Sequence, residues 1–268
     1  MFDFGITAPD WAFDCDLIEG IERAAEVGVD GVEFFGWEDA DVEEVVETAA
    51  SNGIEVFGTL AAGAGSNLED ADGHALAYPE SHDRAVADVE RSIEAAADFD
   101  ADTLVVTVGQ DLDTVDDARQ HNAIVRVLRA IAPTAEAHDV TVVIEPLNTR
   151  VDHPGYYLTE SGEAAEIVEA VDSPNVAMLF DVYHQQVTEG DVIRRLREHV
   201  EHVGHVHVAD NPGRHEPGTG ELNYERIFAA IADLDYDGYV SCEFGPAGDP
   251  MVVYPRLVEM AVEARAGR

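Results

Sequence analysis

Lysine is missing from this chain: all fifteen cationic side chains among its 268 residues are arginines. The absence removes two chemistries, since a Schiff-base aldolase needs a lysine amine and a Walker-type phosphate loop needs its Lys. Cysteine is scarce. Cys15 and Cys242 form neither metal-type nor redox spacing, which suits a reducing compartment. No apolar run approaches the ~18 residues of a membrane span, and Met1-Phe2-Asp3-Phe4 has neither the basic start nor the apolar stretch of a secretory signal. A cytoplasmic protein without membrane association is the expectation.

Positive charge is scarce too. Fifty-six Asp and Glu face fifteen Arg, a formal charge of −41. A disordered acidic tail would gather its carboxylates in blocks poor in apolar residues; here they are spread along helical segments of a chain that is 46% hydrophobic. The expectation is a folded acidic surface of a salt-adapted protein, because the Debye length falls to about 3 Å at 1 M salt and screens the self-repulsion.

What is present is a rhythm. Short apolar runs alternate with longer amphipathic acidic ones about eight times, as in parallel β/α units. Strands are expected at 2–7, 31–35, 55–59, 103–108, 141–145, 176–181, 203–208 and 238–243. Helices are expected near 17–27, 42–51, 82–98, 116–137, 161–170, 190–200, 224–232 and 252–264, the seventh capped by Asn223. Runs such as LVVTV and TVVIE are apolar on both faces, as strands are when helices cover the outside and side chains fill the inside. An open doubly wound sheet alternates in the same way but carries a Gly-rich phosphate turn after its first strand, and Ile6-Thr7-Ala8-Pro9-Asp10 is not one. The α/β fold predicted is a (β/α)8 TIM barrel, one domain over residues 1–268, near the roughly 250 residues usual for it. Gly28, Gly53 and Gly204 suit helix ends or tight turns, and Pro133 is expected to kink the helix at 116–137.

Three connections are long: 60–81, 146–160 and 209–223. All follow strands, so all belong to the C-terminal face, where barrels of this kind place their active sites. The first, small and polar, is the candidate lid. At the same face four successive strands finish on Glu145, Asp181, His207 and Glu243. Alternation along each strand makes Thr141 and Val143, Ala177 and Leu179, and Val203 and His205 the inward companions of the first three, and so puts His205 behind His207. A strand-end carboxylate often caps the next helix and a lone His is often a core residue; four in register point instead to one metal site.

Three carboxylates and an imidazole favour Mg²⁺ or Mn²⁺, with Co²⁺ or Zn²⁺ as alternatives. Such an ion leaves positions open for a substrate carbonyl and an adjacent hydroxyl, whose polarisation acidifies the C–H between them. Glu145 and Glu243, on either side, are the candidates to carry the proton. Return to the next carbon is aldose–ketose isomerisation through an enediol; return to the other face of the same carbon is epimerisation.

The runs Glu145-Pro146-Leu147-Asn148-Thr149-Arg150, Asp181-Val182-Tyr183-His184-Gln185-Gln186, Gly204-His205-Val206-His207-Val208-Ala209, Gly213-Arg214-His215-Glu216-Pro217, Thr219-Gly220-Glu221 and Tyr236-Asp237-Gly238-Tyr239 resemble the hydroxypyruvate isomerase family of the xylose-isomerase-like barrel superfamily. The resemblance implies a metal site of Glu145, Asp181, His207 and Glu243 with Glu145 and Glu243 as the acid/base pair, and substrate oxygens held by His184 and Arg214. A guanidinium fork fits the carboxylate of a three-carbon keto acid. Arg214 could equally pair with Glu216 or Glu221 at the surface, and His184 could be a packing residue at a helix start. His207 stands where the family often has Gln and the ketose 3-epimerases have His, so the substrate is left between a keto acid and a ketose. Leu147 replaces the lysine that follows Glu-Pro in xylose isomerase itself.

Glu33, Asn148 and Glu216 are further candidates for substrate contact, with Trp11, Trp37, Gln110 and Arg150 also near the rim. A small-molecule keto acid or ketose is the expected partner, and a homo-oligomer is compatible with the sequence. An endonuclease of the same superfamily is the remote alternative, but it needs a basic groove and the loops carry no Arg cluster. A non-catalytic binding barrel is the other.

Overall fold

In the structure, a computed structural model describing residues 1–69, 73–234 and 236–267, eight parallel strands pair in sequence order and β1 closes on β8. They are β1 (Asp3–Thr7), β2 (Gly31–Phe34), β3 (Glu55–Leu60), β4 (Thr103–Val106), β5 (Thr141–Ile144), β6 (Val176–Asp181), β7 (Val203–Val208) and β8 (Tyr239–Cys242). Around them lie α1 (Pro9–Phe13), α2 (Leu17–Val27), α3 (Val42–Asn52), α4 (His82–Asp98), α5 (Asp117–His138), α6 (Ser161–Val171), α7 (Val182–Thr188), α8 (Val192–His199), α9 (Tyr224–Ala232) and α10 (Pro250–Ala266). The expected (β/α)8 barrel is the observed one.

Alternation divides the core in two. Outward residues such as Phe4, Ile6, Val32, Phe34 and Val206 are fully buried under the helices; Phe4 meets Phe228 of α9 edge to face at 5.8 Å. Each such side chain contributes roughly 1.5–3 kcal/mol. Inward residues Val105, Val143 and Leu179 form a smaller separate cluster inside the barrel. Above it the interior turns polar, and that layer is where the site begins.

Asp16 and Asn223 cap α2 and α9, and Gly28 and Gly53 end α2 and α3 with positive φ. Gly204 plays a different part from the turn expected of it. It lies inside β7, where a Cβ would stand 2.8 Å from Ala177 Cβ and 3.0 Å from Val143 Cγ1, so close packing demands glycine there. Pro133 does not interrupt α5, which runs on to His138 with the proline on its exposed side. Of the candidate lid, residues 70–72 lie outside the described residues; Ala75, Leu76 and Ala77 are fully buried, so that part is packed onto the body.

Candidate metal centre

The four strand-end residues arrive together. One ligand atom from each of Glu145, Asp181, His207 and Glu243 lies within 4.8 Å of all the others. Glu145 and Glu243 sit one residue beyond β5 and β8 and prolong the ladder, their N–H groups donating to Val106 O at 3.3 Å and Val208 O at 3.2 Å. Tyr156 locks the first of these: its hydroxyl accepts from Val108 N–H at 2.8 Å and donates to the Glu145 carbonyl at 3.1 Å.

Asp181 answers to both readings of a strand-end carboxylate. Its Oδ1 accepts the N–H groups of Tyr183 (2.7 Å) and His184 (3.0 Å), the cap that starts α7, while Oδ2 is buried with no hydrogen-bond partner. His207 Nε2 lies 2.8 Å from Glu33 Oε2, which leaves Nδ1 facing Glu243 Oε2 at 3.2 Å and Glu145 Oε1 at 4.0 Å.

Arg214 joins this group instead of pairing with Glu216 or Glu221. Held at φ +52° in the β7 loop, it places Nη2 2.6 Å from Glu243 Oε2 and 3.9 Å from Asp181 Oδ2, with its guanidinium over the Tyr183 ring at 5.5 Å. Its buried Nε–H has no partner. The ring of His184 is fully buried, and its Nδ1 accepts the Asn148 N–H at 3.1 Å and lies 2.7 Å from Asn148 Nδ2. Both neighbours are donors, so the neutral ring carries its proton on Nε2, 3.9 Å from Asp181 Oδ2 and otherwise unpartnered. Burial first, then the Arg214 charge, holds His184 well below the ordinary imidazole pKa and keeps it neutral.

The charges divide by environment. Burial and then the Glu243 charge push the Glu145 carboxyl well above the ordinary range. Burial raises Asp181 against the pull of Arg214. Burial opposes ionisation of Glu243 as well, but Arg214 and His207 outweigh it and hold that carboxyl low. For His207, burial is outweighed by Glu33 and Glu243, and the ring is pushed well above its ordinary value. The crowded carboxylates therefore seek cations and protons. The buried, unpartnered Glu145 Oε1, Asp181 Oδ2 and His207 Nδ1, with Glu243 beside them, form the oxygen-rich donor set that a hard divalent ion accepts.

Three candidate contacts are held by other groups of the protein in the structure. Glu33 lies within β2 with no exposed surface, its Oε2 2.8 Å from His207 Nε2. Asn148, also fully buried, has its Oδ1 taken by the N–H groups of Val151 and Asp152 and its Nδ2 by Asp152 and His184; it orients His184. The two oxygens of Glu216 accept Ala247 and Gly248 N–H groups, which braces the β7 loop against the β8 loop. Arg150 donates to Val187 O behind α7, and Trp37 lies under Arg91. Trp11 is half exposed beside Gly245.

Three contributors went unnoticed in the sequence. Asp152 holds Asn148 and the Tyr183 hydroxyl, both at Oδ2. Tyr156 clamps β4 to β5. Buried Asp210 accepts the N–H groups of Asn211, Gly218, Gly220 and Leu222 and so folds the loop that presents Arg214. Only the Asp before a Gly-rich stretch was a visible signal. A cavity of about 940 Å³ opens at the opposite, N-terminal end, between Asp3, Glu55, Asp102 and Tyr239, and contains none of the converging residues.

The hydroxypyruvate isomerase of Escherichia coli K12 is 33% identical over 233 residues, which cover 86% of this chain and 88% of that protein. The 2-oxo-tetronate isomerase of Cupriavidus necator is 39% identical over 158 residues, 59% of this chain and 60% of that one. The crystal structure of an AP endonuclease, family 2, from Brucella melitensis superposes with a TM-score of 0.87 at 28% identity, covering 96% of this chain and 99% of that chain. Barrel, convergent site and relatives together define an enzyme of isomerase type. Residues 21–261 match the xylose isomerase-like TIM barrel family, and the chain belongs to it.

Proposed function

We propose that this protein is a divalent-metal-dependent isomerase that interconverts hydroxypyruvate and tartronate semialdehyde. The reading is carried by one observation: the meeting of Glu145, Asp181, His207 and Glu243 beside two directed donors, Arg214 and His184. Those four residues would hold Mg²⁺ or Mn²⁺, which would polarise the substrate carbonyl and the adjacent hydroxyl.

The remaining steps belong to the chain. Arg214, through its free Nε–H and its Nη groups, binds the substrate carboxylate, and His184 Nε2–H donates to an oxygen nearer the reacting carbons. Glu243, held ionised, takes the C3 proton of hydroxypyruvate as the C2–C3 double bond forms and passes that proton to the C2 oxygen, giving the enediol. Glu145, on the other side, takes the proton of the C3 hydroxyl and delivers it to C2 of the enediol, so that both glutamates end the cycle as they began it. The product is the aldehyde, with atoms and charge unchanged.

Purified protein with Mn²⁺ or Mg²⁺ in molar KCl should convert hydroxypyruvate to tartronate semialdehyde. No turnover of any short keto acid or ketose would reject the proposal. Glu145 and Glu243 stand on β5 and β8, at either end of the four-strand arc, a placement that also serves ketose 3-epimerisation. Deuterium incorporated at C3 of an otherwise unchanged ketose would select that second reading. The likeness to an AP endonuclease makes abasic duplex DNA a control substrate, and a net charge of −41 opposes its phosphates.

A further inference from the structure

Glu33 is a carboxylate sealed inside the barrel, and its surroundings are built for it. The β2/β3 register shifts beside it: Val32 faces Val56 but Glu33 faces Gly58, so one extra β3 residue is accommodated there. A Cβ on Gly58 would stand 3.3 Å from Glu33 Oε1, so the space for the carboxylate is the space of a missing side chain. The other register shift, between β6 and β7, falls beside His205, whose ring lies edge-on to His207 at 4.6 Å and whose Nε2 is 3.6 Å from Glu33 Oε2.

Within this chamber Glu33 Oε2 accepts from Thr7 Oγ1 at 2.9 Å, and Thr7 Oγ1 in turn accepts from Ser241 Oγ at 2.6 Å. The remaining partner of that oxygen is His207 Nε2 at 2.8 Å. A carboxylate is an acceptor only, so the imidazole must present N–H to it. In the neutral ring that a cation requires, the other nitrogen, Nδ1, is then the one with a lone pair to offer toward Glu145 and Glu243. Without a fixed acceptor below, a neutral His207 could carry its proton on Nδ1 and point N–H at the place where a cation is needed.

We propose that Glu33 is a positioning residue for the metal centre: by accepting His207 Nε2–H it selects Nδ1 as the ligand atom, fixes the ring plane and strengthens the imidazole as a donor. This rests on the reading of Glu145, Asp181, His207 and Glu243 as a cation site. A ligating His that donates its other N–H to a carboxylate is oriented and made more basic by it, and loss of that partner weakens metal binding about 10–100-fold.

The test compares wild type with Glu33→Gln in molar KCl, reading Mn²⁺ affinity, ions bound per chain and thermal unfolding after chelation. Gln keeps the shape and an oxygen acceptor but not the charge. The expected result is one ion per chain in wild type and a dissociation constant about 10–100-fold weaker in Glu33→Gln, at little cost to the chelated protein. A dissociation constant within about threefold of wild type would overturn the inference while leaving the metal site standing. Two ions per wild-type chain, one lost in the variant, would overturn it too, because Glu33, His205 and His207 would then be ligands themselves. Wild type that takes up no divalent ion would reject the metal site and this inference together. Should Glu33→Gln fail to fold, ¹⁵N spectra of His207 in Zn²⁺-loaded wild type decide: a protonated Nε2 with metal on Nδ1 supports the assignment, and the reverse sinks it.

Discussion

Arg214 Nη2 stands 2.6 Å from Glu243 Oε2, so the guanidinium of the β7 loop and any cation bound between β5 and β8 compete for one carboxylate. On the proposed function, an ion held by Glu243 would free the guanidinium for the substrate carboxylate and so couple metal loading to keto-acid binding. Replacing Arg214 by Met should raise KM for hydroxypyruvate about 10–100-fold, the worth of a charged hydrogen-bonded pair, without weakening Mn²⁺ binding. Steady-state kinetics beside a metal titration separate the two effects; a parallel loss of metal affinity would contradict the competition.

Glu145→Gln and Glu243→Gln each remove a proton carrier while keeping side-chain volume. Each should lower kcat by about 10²–10⁴. Solvent deuterium should stop entering substrate in whichever variant lacks the abstracting base. A variant that loses turnover yet keeps full exchange would assign its residue to the other step.

Glu145 has a carboxyl raised well above its ordinary value near 4.5, first by burial and then by Glu243. A raised folded pKa means that this group's stabilising contribution is complete below the unfolded value and lost as pH rises through the folded one. Protein treated with chelator should therefore lose stability as pH climbs above about 4.5. Mn²⁺, which needs the ionised carboxylate, should reverse that loss with release of a proton. Melting temperatures across this range with and without Mn²⁺, and proton release in weakly buffered solution, check both signs. Identical pH profiles in the two states would refute the assignment.

Asn148 presents two N–H donors to His184 Nδ1. Asn148→Asp replaces the side-chain donor with an acceptor and should draw the ring proton to Nδ1, leaving Nε2 with no hydrogen to donate. Asn148→Ala leaves the backbone donor in place and should do less harm. The expected order of kcat/KM is wild type, then Ala, then Asp, with Asp lower than wild type by roughly 10-fold or more. The reverse order of the two variants would show that His184 does not act as a donor.

The charge of −41 makes stability depend on salt if the surface is adapted to it. Dialysis from molar to millimolar KCl should remove native circular dichroism as the Debye length grows from about 3 Å to 10 Å and beyond. Unchanged unfolding stability over that range would dispose of the salt-adapted reading.

Much of the fold was legible residue by residue. The expected bounds of α2, α4 and α9 and of β6 and β7 are those observed; at α2 and α9 the apolar periodicity is framed by caps at Asp16 and Asn223. The missed helices, α1 and α7, are short. The first follows Ala8 at positive φ, and α7 is opened by Asp181, which caps the helix with Oδ1 and leaves Oδ2 to the site. Strand-end spacing also disclosed Glu145, Asp181, His207 and Glu243, since a two-residue repeat assigns each to the inner face. The partners that Glu33 and Glu216 take on other strands and loops were not legible along the chain.

Periodicity, cap chemistry and the order of units are set by sterics within a few residues, and so they can be read along the chain: eight β/α units, ligands at the C-terminal ends, no lysine chemistry. Closure belongs to another scale. Glu33 meets His207 from 174 residues away, and Thr7 meets Ser241 from 234. Those contacts follow from β1 pairing with β8 and from the shifted registers at Glu33 and His205. Barrel curvature and interior packing choose such shifts collectively, and no local pattern announces them.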